Sequence, residues 1–166
     1  LKQIAFVPSK NFIYHVGLHF SRSIRKINYL QVVRVIGWLL MIEAAFMTIP
    51  LATAFLTGGA DLEAFGLSAL ITLAAGLSAT FLVRPSRTDM AKREGFLLTS
   101  LVWVVFSFFG MLPFVWSDVE PLDVTDAFFE AMSGFTTTGA TVMTSVSATS
   151  AAATMWRCLM LWLGGM

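Results

Sequence analysis

Charge is scarce in this chain, and so are cysteine and histidine. Charged residues fill 13% of its 166 positions, about half the roughly 25% of an ordinary soluble domain. A conventional solvated surface is excluded. Cys158 is the single cysteine, so no intrachain disulfide is possible and the redox compartment stays unspecified. The two histidines, His15 and His19, both lie near the start. Four apart, they would share a helix face, but with no third ligand beside them they do not make a closed metal site. The chain has no H-E-x-x-H, no G-x-x-x-x-G-K-S/T and no Ser/His/Asp set at membrane depth. The residues for hydrolytic or nucleotide-cleaving chemistry are missing, and we expect no enzyme. A secretory signal is lacking too, because the first long apolar run starts near Leu30, too far in and too long for a signal core.

What the chain does have is apolar residues, 57% of the total, with a mean hydropathy of +0.77. Several runs approach the ~20 residues that cross a bilayer as a helix. We therefore expect an all-α integral membrane protein. Residues 1–29 mix Phe6, Phe12, Ile13, Tyr14 and Phe20 with Lys2, Lys10, Arg22, Arg25 and Lys26, the pattern of an interfacial segment or of a flexible leader. A first span covers residues 30–55. Arg34 sits near its basic end, where it can snorkel to headgroups, and Glu43 falls about 13 Å deeper along a helix axis. Glu43 reads either as a relay for protons or cations or, preferred here, as a protonated or hydrogen-bonded carboxyl clamping two helices. Pro50 should kink the span or bend its far end.

Thr57-Gly58-Gly59-Ala60-Asp61 is a tight acidic turn. A second span over residues 65–83 is rich in small residues (Gly66, Ser68, Ala69, Ala75, Gly76, Ser78) suited to close helix packing. Pro85 ends it, and Arg84, Arg87, Lys92 and Arg93 form a basic loop. A third span over residues 95–116 closes at Pro113 and the acidic stretch Asp118, Glu120, Asp123 and Asp126. Basic and acidic loops alternate, so the positive-inside rule places the N-terminus and residues 84–94 in the cytoplasm.

Residues 126–135 look helical yet are too short to cross: about 15 Å of helix against a ~30 Å hydrocarbon core. Asp123 or Thr125 can cap this half-helix, Asp126 complements its dipole, and Gly134 is a natural stop. Residues 136–141 can then return in extended form over roughly 20 Å, with Gly139 supplying a positive φ. Broken backbone is tolerated at membrane depth only where it faces protein or water. A row of carbonyls along a water-filled axis is how a potassium pore replaces the ion's hydration shell. We expect the carbonyls of Thr137, Thr138, Gly139 and Ala140 to line an ion path, with Glu130, Gly134, Thr136, Thr141 and Arg157 supporting the loop. Arg157 enters the next apolar segment at a depth matching Glu130 or Asp126, and either carboxylate offers a bidentate partner. The alternative is an arginine reaching headgroups.

Asp126-Ala-Phe-Phe-Glu130, Ser133-Gly134, Thr136-Thr-Thr-Gly139-Ala-Thr141, Trp156-Arg157 and Trp162-Leu-Gly-Gly-Met166 resemble the first pore repeat of the Trk/Ktr/HKT potassium transporters. Arg93-Glu94-Gly95-Phe96 and Leu112-Pro113-Phe114 resemble the same family, and the two leading spans look like the extra helix pair of its Trk branch. The resemblance covers residues 30–166. It implies four membrane–pore–membrane repeats around one potassium path, of which this chain holds one, with Gly139 at the filter glycine. It also implies a membrane homodimer working with a cytosolic nucleotide-binding regulatory subunit, in a cell membrane with its lipid. No nucleic acid and no bound cofactor are expected; potassium is the cargo and the only metal.

Three segments result: a leader over 1–29, a helix pair with its cytoplasmic loop over 30–94, and a first pore repeat over 95–166. Leu1 in place of an initiator Met, and an apolar segment still running at Met166, suggest part of a longer polypeptide. The leading functional reading is potassium uptake. The competing one is a non-transporting membrane scaffold or accessory protein, its threonine-rich loop merely packed between helices.

Overall fold

The computed structural model describes residues 28–83, 92–143 and 149–166. Residues 1–27 of the leader, with His15 and His19, Arg84 and Arg87 of the basic loop, and Ser145 lie outside the described residues, whereas Asn28 and Tyr29, assigned to the leader, cap and open the first helix. Every regular element described is helical. Helix α1 is Tyr29–Leu56, α2 Leu62–Phe81, α3 Lys92–Gly110, α4 Leu112–Val115, α5 Val124–Phe135 and α6 Ala151–Gly164. Three helical stretches are long and apolar enough to cross a membrane: Tyr29–Leu56, Leu62–Phe81 and Lys92–Val115.

The 28 residues of α1 give about 42 Å of helix, more than a hydrocarbon core requires. Asn28 caps it, its side chain accepting from the Gln31 N–H at 3.3 Å. Pro50 lies inside the helix, which continues to Leu56. The reversal into α2 uses left-handed backbone at Gly58, Gly59 and Asp61 (φ 110°, 83° and 62°).

Lipid tails are as apolar as leucine, so helix association inside a bilayer depends on close packing and polar bonds rather than on escape from water. The α1–α2 pair shows this at Gly37 and Gly76. A Cβ on Gly76 would sit 2.9 Å from the Gly37 carbonyl, and one on Gly37 would sit 2.6 Å from the Thr80 hydroxyl. Of the small residues expected at this contact, Ser68 and Gly76 are buried, whereas Ser78 is exposed. Gly66 touches only the Leu51 side chain, at 3.8 Å from a notional Cβ. The facing glycine in α1 carries the other half of the contact.

The charged residues Lys92, Arg93 and Glu94 open α3 rather than lying in a loop. At its far end Met111 separates α3 from α4, and Pro113 falls in the first turn of α4, where its missing N–H costs nothing. The main core gathers Met47, Phe65, Phe114, Phe135, Trp156 and Met160 from α1, α2, α4, α5 and α6. Trp156 is fully buried, and its indole N–H donates to the Gly110 carbonyl at 2.9 Å, satisfying an acceptor that the end of α3 leaves open. Trp38, Phe55, Leu70 and Phe108 are exposed, apolar faces suited to lipid or to further packed helices.

Glu43 is buried, and neither carboxyl oxygen has a hydrogen-bond partner. A Cβ on Gly110 would lie 3.2 Å from its Oε1, so it packs against the end of α3. Of the two forms of clamp expected, the hydrogen-bonded one is not formed among the described residues, where Glu43 packs between α1 and α3 without a polar tie.

Candidate pore element

At 12 residues, α5 is about 18 Å long, too short to cross a ~30 Å core. Asp123 occupies its N-cap position with extended backbone but makes no side-chain capping bond, contrary to expectation. Thr125 lies inside the helix and Asp126 in its first turn. Gly134 does not stop the helix either, because α5 runs on to Phe135 with Thr136 as its C-cap. The glycine serves packing instead: a Cβ there would be 3.0 Å from the Met160 Cβ of α6.

Beyond Phe135 the chain folds back over its own last turn. Ser133 organises it. Its carbonyl accepts the N–H groups of Thr138 at 2.9 Å and Gly139 at 3.3 Å, and its hydroxyl donates to the Ala140 carbonyl at 2.6 Å. The Thr137 N–H reaches the Gly134 carbonyl at 3.0 Å. The Thr136 hydroxyl donates to the Met132 carbonyl at 2.7 Å and lies 3.0 Å from the Thr138 hydroxyl. Gly139 has φ 74° and Thr137 has φ 57°. The first is easy for glycine; the second costs a β-branched residue about 1–2 kcal/mol. Nothing in the residue type announces a left-handed threonine. Residues 136–142 are exposed, while Ser133, Gly134, Phe135 and Met143 are buried. The carbonyls of Thr137, Thr138 and Gly139 accept no hydrogen bond among the described residues.

The loop's return is anchored by charge. Glu130 is 2% exposed and Arg157 13%, and Arg157 Nη1 lies 2.8 Å from Glu130 Oε1. The second carboxylate oxygen accepts from the Thr141 hydroxyl at 3.0 Å and from the Val142 N–H at 3.1 Å. Arg157 Nη1 also donates to the Thr141 oxygen at 2.8 Å, and the Met143 N–H reaches it at 3.1 Å. Of the two carboxylates considered for Arg157, the structure brings Glu130 to it. The pairing runs through one guanidinium nitrogen rather than a bidentate fork, because Oε2 is taken by the loop.

Sequence reasoning missed Gly164. A Cβ on it would overlap the Phe135 carbonyl, so this glycine lets α6 cross directly beneath the end of α5. The adjacent Gly164-Gly165 in an apolar helix was its available signal. Ser133, legible only as part of a family motif, is the other omission.

This arrangement has known counterparts. The family model described as TrkH, cation transport protein, matches residues 62–166. The Trk system potassium uptake protein TrkH of Escherichia coli K12 is 34% identical over 139 residues, covering 84% of this chain and 29% of that protein. Its counterpart in Halomonas elongata is 36% identical over 136 residues, covering 82% of this chain and 28% of that protein. The crystal structure of the potassium transporter TrkH from Vibrio parahaemolyticus superimposes with a TM-score of 0.79 at 32% identity, covering 84% of this chain and 30% of that one. The chain thus spans less than a third of the length of these relatives. With three apolar helices of spanning length, a half-length helix folding into a threonine–glycine loop, and a family model matched over most of its residues, this is a multi-pass membrane protein that belongs to the TrkH family of cation transport proteins.

Proposed function

We propose that this chain supplies one filter strand of a potassium-uptake subunit in the cell membrane. The observation that carries the reading is the loop after α5. Its Thr137, Thr138 and Gly139 carbonyls are free of protein donors among the described residues and its residues are exposed, while its other side is bonded to Ser133 and Glu130. The carbonyl of Ala140 keeps a second lone pair beyond the one Ser133 engages, so it remains a fourth ligand. Helix α5 is re-entrant, and its C-terminal end carries the partial negative charge that favours a cation. The name of the Vibrio parahaemolyticus relative, a potassium transporter, supports potassium as cargo.

The chain's segments divide accordingly into a cytoplasmic or interfacial leader (1–29), a helix pair with a cytoplasmic loop (30–94) and a first pore repeat (95–166). Three further repeats of the same polypeptide complete the ring of carbonyls that ion coordination needs. A second copy of the subunit and a cytosolic nucleotide-binding regulator are its partners, and the N-terminus is cytoplasmic. Nothing observed favours a non-transporting scaffold.

Gly139 provides the test. Among the described residues nothing lies within 4 Å of a notional Cβ on it, so within this chain a substitution acts through its backbone φ of 74°. Gly139→Val in the full-length subunit should abolish potassium uptake or its preference over sodium, with membrane insertion unchanged, measured as rubidium and sodium uptake in potassium-uptake-deficient cells. Normal preference in that variant would overturn the filter assignment.

A further inference from the structure

The turn between α1 and α2 and the loop leading into α5 are fastened together by one side chain. Asp61 is 1% exposed. Its Oδ1 accepts from the Ser117 hydroxyl at 2.8 Å and from the Asp118 N–H at 2.7 Å. The Ser117 oxygen in turn accepts the N–H groups of Val119 and Glu120, each at 3.3 Å. Residues 117–120 of the loop are therefore gathered on two acceptors, the Ser117 hydroxyl and Asp61 Oδ1, and the hydroxyl is itself held by Asp61. A little further on, the Leu122 N–H donates to the Phe114 carbonyl at 3.0 Å, and α5 begins at Val124.

Asp61 is an uncomfortable residue. It has φ 62°, and its Oδ2 is buried without a hydrogen-bond partner among the described residues. It does not cap α2, since its side chain makes no capping bond there. Left-handed backbone and a half-satisfied buried carboxylate are both unfavourable, and such features persist where the surrounding structure requires them. The bonds to Ser117 and Asp118 are the interactions on which this carboxylate acts.

We propose that Asp61 is a positioning residue: it ties the α1–α2 hairpin to the entry of the pore helix, so that the hairpin sets the height of the filter. The proposal rests on the reading of residues 136–141 as a filter strand. Helix α5 has no side-chain cap of its own, so its first turn relies on the loop before it, while Glu130 and the core face hold the later turns. A 12-residue helix moves as a rod, and a displacement at Val124 reappears at the carbonyls after Phe135. A misplacement of about 1 Å in a site that depends on ligand geometry can cost on the order of a hundredfold. An aspartate suits this position because it tolerates left-handed backbone and its charge strengthens the bonds it accepts.

Two substitutions in the full-length subunit separate the tether from the fold around it. Asp61→Gly keeps the left-handed backbone accessible and removes the side chain with its acceptor. Asp61→Asn keeps both the backbone conformation and Oδ1. In potassium-uptake-deficient cells, with membrane abundance measured in parallel, Asp61→Gly should raise the KM for potassium and lower the potassium-over-sodium preference by on the order of tenfold. Asp61→Asn should restore both to within about threefold of the parent. A wild-type KM and preference in Asp61→Gly would overturn the proposal. So would a loss of uptake that follows lost abundance alone, with the preference unchanged. Gly139→Val in the same assay keeps the two readings apart. If Gly139→Val stays selective, the filter reading fails; if it loses preference while Asp61→Gly keeps it, the tether alone fails.

Discussion

The two oxygens of Glu130 serve different partners. Oε1 meets the Arg157 guanidinium, and Oε2 receives the Thr141 hydroxyl and the Val142 N–H. Thr141 closes the arrangement by donating to the carboxylate while accepting from Arg157 and Met143, the full capacity of a hydroxyl. Because both charged partners are largely buried, removing one leaves the other uncompensated, a loss of about 3–5 kcal/mol. Arg157→Gln and Glu130→Gln should each impair potassium uptake strongly without reversing topology. The double variant should be little worse than either alone, since both singles break the same network. Uptake and melting temperature of the four proteins check this; fully additive losses would contradict it. Glu43 is the contrasting residue. It is equally buried but has no polar partner among the described residues.

Gly164 decides how closely α6 may pass beneath α5, because any side chain there meets the Phe135 carbonyl. Gly164→Ala should force the helices apart, lowering stability by about 1–3 kcal/mol and reducing uptake. A variant with unchanged melting temperature and unchanged uptake would show that α6 need not lie so close. At this scale the sequence is readable wherever length and composition decide. The three spans follow from uninterrupted apolar runs, and the half-helix from a run too short to cross between acidic and glycine-rich borders. Their ends shift because Lys92, Arg93 and Glu94 carry charge yet begin a helix. Gly134 reads as a stop because the sequence does not show Met160 facing it. The positive φ of Thr137 is hidden, since threonine disfavours it. The Asp61–Ser117 tie joins positions 56 apart, and no local pattern marks such a pair. The Glu130–Arg157 pair is legible only because two charges at matching depth in an apolar region have few alternatives.

For the molecule as a whole, the proposed filter reading makes the exposed loop over residues 136–142 one side of a ring shared with other pore segments. Potassium coordination needs carbonyls converging from several directions, and a single strand leaves most of the ion's hydration shell unreplaced. The 166-residue chain purified into a planar bilayer should therefore carry no selective potassium current. Reproducible selective currents from this piece as a monomer would contradict the shared-ring reading. The main core points the same way: it draws on α1, α2, α4, α5 and α6 together, so the helix pair and the pore element pack as one body around which further segments can gather.

The Glu130–Arg157 bridge also orders events during synthesis. The carboxylate leaves the ribosome well before the guanidinium, and in the interval α5 holds an unpaired charge that resists entry into lipid. If α5 is re-entrant as proposed, the half-helix would be expected to stay at the water–lipid boundary until α6 supplies the guanidinium. Helix α6 carries all three contacts, Arg157 to Glu130, Trp156 to the Gly110 carbonyl and Gly164 against Phe135, so its docking would complete them together. The loop that would meet the ion thus takes shape only after the helix that follows it, and each repeat built this way would mature one helix behind the nascent chain.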